Sequence, residues 1–212
     1  MLPEDVDVDL DACAIPLEWP TLFGRSAPVE VEIGSGKGRF LNALAETHPE
    51  RDLLAVERAA KYHRLECQRA ARRGLANIRV IRTTAEDLLL RLLAPASVEA
   101  IYVLFPDPWP KKRHHKRRLL TVPTMTAMAQ ALAPGGRLLI KTDHPGYAEV
   151  IGEVLAQVVA GDAGRPGVLS MLDPAAAFEG LPLSGFEVKY QIEGRPISSF
   201  ALQRPRQDQP VV

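Results

Sequence analysis

Net charge, a disulfide framework and any long apolar run are all missing from this sequence. Lys plus Arg and Asp plus Glu number 26 each, so the charge total gives no sign of a nucleic-acid partner and only local distribution can. There are two cysteines, Cys13 and Cys67, far apart and in no metal-like spacing. That excludes a disulfide scaffold, offers no zinc pattern, and fits a reducing, cytoplasmic compartment with no metal. No basic segment leads into an apolar one near Met1, and nothing approaches the ~20 apolar residues of a bilayer span, so neither a secretion signal nor a membrane partner is expected. Two familiar phosphate-binding patterns are absent as well. In "EIGSGKG" (32–38), Arg39 stands where a dinucleotide fingerprint needs its third glycine. Lys37 precedes Gly38, whereas a P-loop needs Gly-Lys-Ser/Thr.

What is present is one domain's worth of chain: 212 residues, 46% hydrophobic and 25% charged. Residues 1–12 carry Glu4, Asp5, Asp7, Asp9 and Asp11 and no base. An acidic flexible segment over 1–18 is therefore expected, then a single domain over 19–204 and a short tail over 205–212. Strand and helix patterns alternate: strands at 29–33, 51–57, 77–83, 98–105 and 137–143, with helices at 38–48, 59–73, 85–93, 123–132 and from Tyr147 onward. Residues 161–185 are rich in Gly and Pro and hold the least regular pattern. "FEVKYQIE" (186–193) and "PISSFALQR" (196–204) read as strands of a closing hairpin. The expected fold is α/β: a doubly wound, Rossmann-like, mostly parallel sheet with helices on both faces and an antiparallel C-terminal hairpin. Such sheets bind ligands beyond the carboxyl ends of their strands, so functional residues should follow strands.

They do. Gly34, Gly36 and Gly38 follow the first strand and let the backbone turn tightly and approach a ligand. Glu32, just ahead of them, would repel a diphosphate and attract a cation; S-adenosylmethionine, with its sulfonium and ammonium groups, has the matching sign. Glu57 ends the second strand, where a carboxylate can accept from ribose hydroxyls. Thr84 and Ala85 follow the third strand, and for the Thr84 hydroxyl a cofactor contact and a helix cap are both open.

After the fourth strand comes "FPDPWPKKRHHKRR". Pro106 and Pro108 hold Asp107 in a stiff turn at the mouth of the expected site. Lys111 to Arg118 is a run of basic residues that repel one another unless an anion neutralises them, as a phosphate backbone would. Trp109 has two readings, stacking on a base or packing under the loop. Asp143 ends the fifth strand in "KTDHPGY", either at the ligand edge or as the cap of the next helix.

Together "EIGSGKGRF", "FPDPWPKKRHHKRR", "KTDHPGYAE" and "SGFEVKYQIEGRPI" resemble the tRNA (guanine-N7-)-methyltransferases over roughly Trp19 to Phe200. The resemblance implies transfer of a methyl from S-adenosylmethionine to N7 of a variable-loop guanine in tRNA. It implies cofactor contacts from Glu32, Glu57, the Thr84 position and Asp107, with Asp107 the active-site acid. Lys111 and Asp143 would contact the RNA substrate. Ser184, Phe186 and Glu187 would stand for the family's Thr-x-Tyr-Glu substrate motif, with Ser for Thr and Phe for Tyr. Lys112, Arg113, His114, His115, Lys116, Arg117 and Arg118 would form an RNA-binding surface. Alternatives are a methyltransferase for another RNA or a protein, and an RNA-binding module without catalysis. Monomer and homodimer are both open.

Overall fold

The computed structural model describes residues 1–161 and 167–206. Two 3-10 turns (Pro3–Asp5 and Leu10–Ala12) and helix α1 (Trp19–Phe23) precede the sheet. Then follow β1 (Val29–Ile33), α2 (Arg39–Thr47), β2 (Asp52–Val56), α3 (Ala60–Arg73), β3 (Ile78–Ile81), α4 (Ala85–Asp87) with a π turn (Leu88–Leu92), and β4 (Val98–Leu104). A 3-10 turn (Lys112–Arg117) leads to α5 (Val122–Ala131), β5 (Leu132–Thr142), α6 (Pro145–Ala160), β6 (Ser170–Met171), α7 (Pro174–Phe178), α8 (Gly185–Ile192) and β7 (Ser198–Gln203).

The sheet order is β3-β2-β1-β4-β5-β7-β6. β1 to β5 are parallel, and β7 runs antiparallel between β5 and β6. The chain reverses its winding between β1 and β4, so the crevice for a ligand opens where these two strands end. Both faces are covered. One apolar cluster joins α5 and α6 to residues such as Val31, Ile101 and Ile140, and the other joins α2 and α3 to Leu53, Tyr102 and Leu139. This explains why β1 and β2 are buried at every position rather than at alternate ones. Two of the acids inside these strands are paired: Glu30 accepts from Tyr102 Oη at 2.7 Å and meets Arg51 at 2.8 Å, and Asp52 meets Arg25 at 2.7 Å.

Helix ends follow local chemistry. Gly74 closes α3 in the left-handed region (φ 68°), and Thr121 with Thr124 forms a capping box ahead of Pro123 in the first turn of α5.

Two expectations are corrected. Residues 186–193 form α8 rather than a strand, so β7 finds its antiparallel partners in β5 and the short β6 instead of in a hairpin. The acidic N-terminal segment is not a solvated tail. Val6 and Val8 are buried, and their backbone exchanges hydrogen bonds of 2.9 Å with Val80 along the open edge of β3. "DVDVD" alternates apolar and acidic residues, so the valines face the protein while Asp5, Asp7 and Asp9 face solvent. Of the expected C-terminal tail 205–212, residues 207–212 lie outside the described residues, as do 162–166.

Candidate functional site

The expected residues gather along one edge of the sheet. Because β1 to β5 are parallel and in register, Glu32, Glu57, Thr84, Asp107 and Asp143 all lie at or just beyond carboxyl ends of strands. A separate cleft of about 490 Å³ between Phe23, Arg25, Pro49 and Leu75 sits by the amino ends and contains none of them.

The glycine loop is tied to both neighbouring acids. Gly34, Gly36 and Gly38 have φ of 81°, 60° and 68°, values an L side chain rarely adopts. Gly34 N–H and Ser35 N–H donate to the Val56 carbonyl at 2.8 and 3.1 Å, and Gly36 N–H donates to Glu57 Oε2 at 2.9 Å. The other oxygen of Glu57 accepts from Ala59 N–H at 2.7 Å. Gly38 has no room for a methyl group, which would stand 2.6 Å from the Glu66 Cγ.

Glu66 was not among the expected residues. It is wholly buried in α3 beneath the loop, and Ser35 Oγ donates to its Oε2. Burial pushes its carboxyl up to about 8, helped by the charge of Glu57 and opposed by the Ser35 hydrogen bond and Arg69. Glu32, 3% exposed, is likewise raised well above the carboxylate range, by burial first and by Glu66 next. Among the described residues, Glu32 Oε2 and Glu66 Oε1 are buried without a hydrogen-bond partner. Three acids meet around one glycine-rich loop, and a cation would relieve the buried, orphaned carboxyls of two of them by favouring their ionised form, which a phosphate would not do. The residues therefore fit S-adenosylmethionine. A signal for Glu66 was available: it shares a helical stripe with buried His63, Cys67 and Ala70, which reading α3 as simply polar conceals.

Thr84 caps α4, accepting from Asp87 N–H at 3.1 Å, so the capping role is realised and its hydroxyl can still donate to a ligand. Ala85 opens that helix.

Asp107 is exposed, in a loop bracketed by strained backbone. Phe105 and Trp109, on either side, have φ of 57° and 44°. Left-handed conformations at such bulky residues cost ~1–3 kcal/mol each and persist only where the surroundings enforce them. Here Phe105 N–H donates to the Lys141 carbonyl at 2.8 Å, and Arg118 Nε donates to the Pro108 carbonyl at 2.9 Å. Arg118 also lies 5.1 Å over the ring of Tyr147. It is thus half-buried as the clasp of the loop, unlike the exposed Lys111, Lys112, Arg113, His115, Lys116 and Arg117; His114 is half-buried beside Trp109. Arg117 covers the Trp109 ring at 5.0 Å, so the indole packs within the basic turn. Burial raises the Tyr147 phenol and the nearby Asp107 charge adds to the rise, while the Leu120 N–H and Arg118 oppose it.

Asp143 does not cap α6. His144 does, accepting from Tyr147 N–H at 3.2 Å. Asp143 instead meets Arg195 Nη1 at 3.2 Å, and Arg195 lies 4.8 Å over the Tyr190 ring. The helix found at 185–192 explains this convergence. Ser184 caps it, accepting from Glu187 N–H at 3.1 Å, and Glu187 makes a buried ion pair with Lys141 of β5. Gly185 lies against Arg39 at the start of α2, beside the glycine loop. Phe186 is half-exposed and stacks on Tyr190 at 5.8 Å, with Phe105 at 5.4 Å from Tyr190. The late motif is thereby folded over the ends of β4 and β5. Arg195 and Tyr190 were not foreseen as parts of it.

A family profile described as "Putative methyltransferase" matches residues 26–179. A tRNA (guanine-N(7)-)-methyltransferase of Mycobacterium avium (strain 104) is 42% identical over 201 residues, covering 91% of this chain and 72% of that protein. One from Mycobacterium ulcerans (strain Agy99) is 39% identical over 211 residues, covering 90% and 68%. Among solved structures, the 16S rRNA methyltransferase KamB superposes with a TM-score of 0.54 at 20% identity, covering 88% of this chain and 91% of that one, a likeness of fold.

Proposed function

The chain belongs to the tRNA (guanine-N(7)-)-methyltransferase family, and from that membership we infer that it transfers a methyl group from S-adenosylmethionine to N7 of a guanine in tRNA. The observation that carries the reading is the switch point itself: a cation-seeking acid pocket after β1 and β2, an exposed aspartate after β4, and an exposed basic turn in the same loop.

The cofactor supplies an electrophilic methyl group. Glu32, Glu57 and the peptide groups of Gly34, Gly36 and Gly38 would hold it, with Glu66 supporting the loop from below through Ser35 and Thr84 and Ala85 bordering it. Guanine N7 carries a free lone pair at neutral pH, so no strong base has to expose it. What the chain contributes is position and field. Asp107 is the catalytic acid of this reading. Its carboxylate would accept from the guanine N1–H and N2–H₂ edge and stabilise the positive charge that grows on the purine as N7 is alkylated. Adenine lacks that pair of donors, and an unpaired site acid costs ~1–3 kcal/mol, which supports discrimination against it.

Lys111 and Asp143 would contact the RNA. Asp143 would do so after exchanging Arg195 for a substrate donor, which makes Arg195 a placeholder cation. Ser184 and Glu187 act through structure, capping α8 and fixing it to Lys141, so that Phe186 is presented at the rim. Lys112, Arg113, His114, His115, Lys116 and Arg117 would grip phosphates, which position the RNA without reading its bases. Arg118 belongs with them as the residue that holds the loop. The variable loop is the proposed location of the guanine, and two free cysteines support a cytoplasmic setting. No helix among the described residues is long and apolar enough to cross a membrane.

Asp107→Ala tests the assignment. Methyl transfer to tRNA should be lost while calorimetric binding of S-adenosylmethionine stays within a few-fold of the parent; full activity in this variant would remove Asp107 from the mechanism.

A further inference from the structure

Where α3 meets the N-terminal segment, three side chains of different kinds come together. His63 Nε2 lies 3.0 Å from Asp7 Oδ1 and 3.9 Å from Cys67 Sγ. All three candidate donor atoms lie within 4.8 Å of one another. We propose that Asp7, His63 and Cys67 form a binding site for one divalent cation of the zinc class, fastening the N-terminal segment to α3.

The donor set suits that metal. A thiolate and an imidazole favour zinc over magnesium or calcium, and a carboxylate completes three protein ligands with one position left over. Bond lengths of ~2.0–2.3 Å at a tetrahedral angle put nitrogen and oxygen ~3.4 Å apart, and nitrogen and sulfur ~3.6 Å apart. The observed 3.0 and 3.9 Å need adjustments of a few tenths of an ångström. His63 and Cys67 are one turn apart on the same helix face, a spacing that lets both side chains reach a common point. The three side chains also line a cleft of about 640 Å³, together with Glu4, Asp9, Arg64 and Arg82. With Asp7 these give three carboxylates against two guanidinium groups, a balance favouring a cation.

On binding, the Cys67 thiol forms its bond to the metal through sulfur and releases one proton to solvent. His63 offers the Nε2 lone pair, with its proton held on Nδ1, and Asp7 exchanges the imidazole contact for the metal. The consequence reaches the glycine loop, because Cys67 is adjacent in the chain to Glu66, on which Ser35 rests. A bound cation would pin the helix that supports this loop, and the melting temperature should rise with metal concentration.

The test uses the full chain, stripped with a chelator and titrated with Co²⁺ as an optical probe, then with Zn²⁺. One equivalent of Co²⁺ should give a thiolate-to-cobalt charge-transfer band in the near ultraviolet, and one equivalent of Zn²⁺ should remove it. The band should persist in Cys13→Ser and vanish in Cys67→Ser. Asp7→Asn, at an exposed position where folding is not at risk, should weaken Co²⁺ binding by ~10-fold or more, as loss of even an outer partner does. Absence of the band, its survival in Cys67→Ser, or unchanged affinity in Asp7→Asn with a native circular dichroism spectrum would overturn the site.

Discussion

Replacing Arg113, Lys116 and Arg117 with alanine should flatten the salt dependence of tRNA binding by a calculable amount. Five exposed full cations lie in this loop: Lys111, Lys112, Arg113, Lys116 and Arg117. Each neutralised phosphate contributes ~0.7–0.9 to the slope of log affinity against log salt, so five contacts give a slope of about −3.5 to −4.5. Between 50 and 200 mM salt the parent should then lose roughly 100–500-fold in affinity, and the triple variant, with two contacts left, only about 7–12-fold. Fluorescence anisotropy of labelled tRNA across that salt range measures both slopes. Arg118→Ala is the matched control. It removes the hydrogen bond to Pro108 and the cover over Tyr147, so it should lower methyl transfer by disordering the Asp107 loop while leaving the slope nearly unchanged. A triple variant with the parent's slope would refute the phosphate grip, and a large slope change in Arg118→Ala would refute its role as a clasp.

The Lys141–Glu187 pair is buried on both sides, so Lys141→Met alone strands a carboxylate and should cost ~3–5 kcal/mol in urea unfolding, most of it recovered on adding Glu187→Leu; strictly additive losses would mean that the pair does not anchor α8. Glu66, with its carboxyl raised to about 8, takes up a proton on folding, so its contribution is full below about 4.5 and is lost as pH rises through 8. Between those limits the parent should lose stability relative to Glu66→Gln by about 1.4 kcal/mol per pH unit; parallel stability profiles for the two proteins would show that Glu66 is not held protonated.

The sheet was readable from the chain because its signals are local and agree. "VEVEI" carries the strand signal at 29–33, the bounds of β1, and Glu32, Glu57, Asp107 and Asp143 all stand at or beyond strand ends, where ligands of such sheets gather. Residues 186–193 misled because Phe186, Val188, Tyr190 and Ile192 alternate as in a strand. The competing signal was Ser184 with Glu187 three residues later, the signature of a helix start, and the buried bond to Lys141 settles the segment as α8. Glu66 was hidden by the Arg-rich surface of its own helix. Asp7 is brought to His63 and Cys67 only by pairing at the β3 edge, a contact between residues far apart in the chain that no spacing announces. The order of glycines and acids was thus legible as a loop at the strand ends, while contacts between side chains far apart in the chain are set only by the fold.

The central claim is that acids at neighbouring strand ends present a guanine N7 to a methyl donor. It is tested most directly by treating unmodified tRNA with the pure protein and S-adenosylmethionine and mapping methylated nucleosides by mass spectrometry. The account predicts a single added methyl, at N7 of one guanine, absent with Asp107→Ala. Methylation at another atom or base, or none on tRNA alongside transfer to protein or ribosomal RNA, would contradict it.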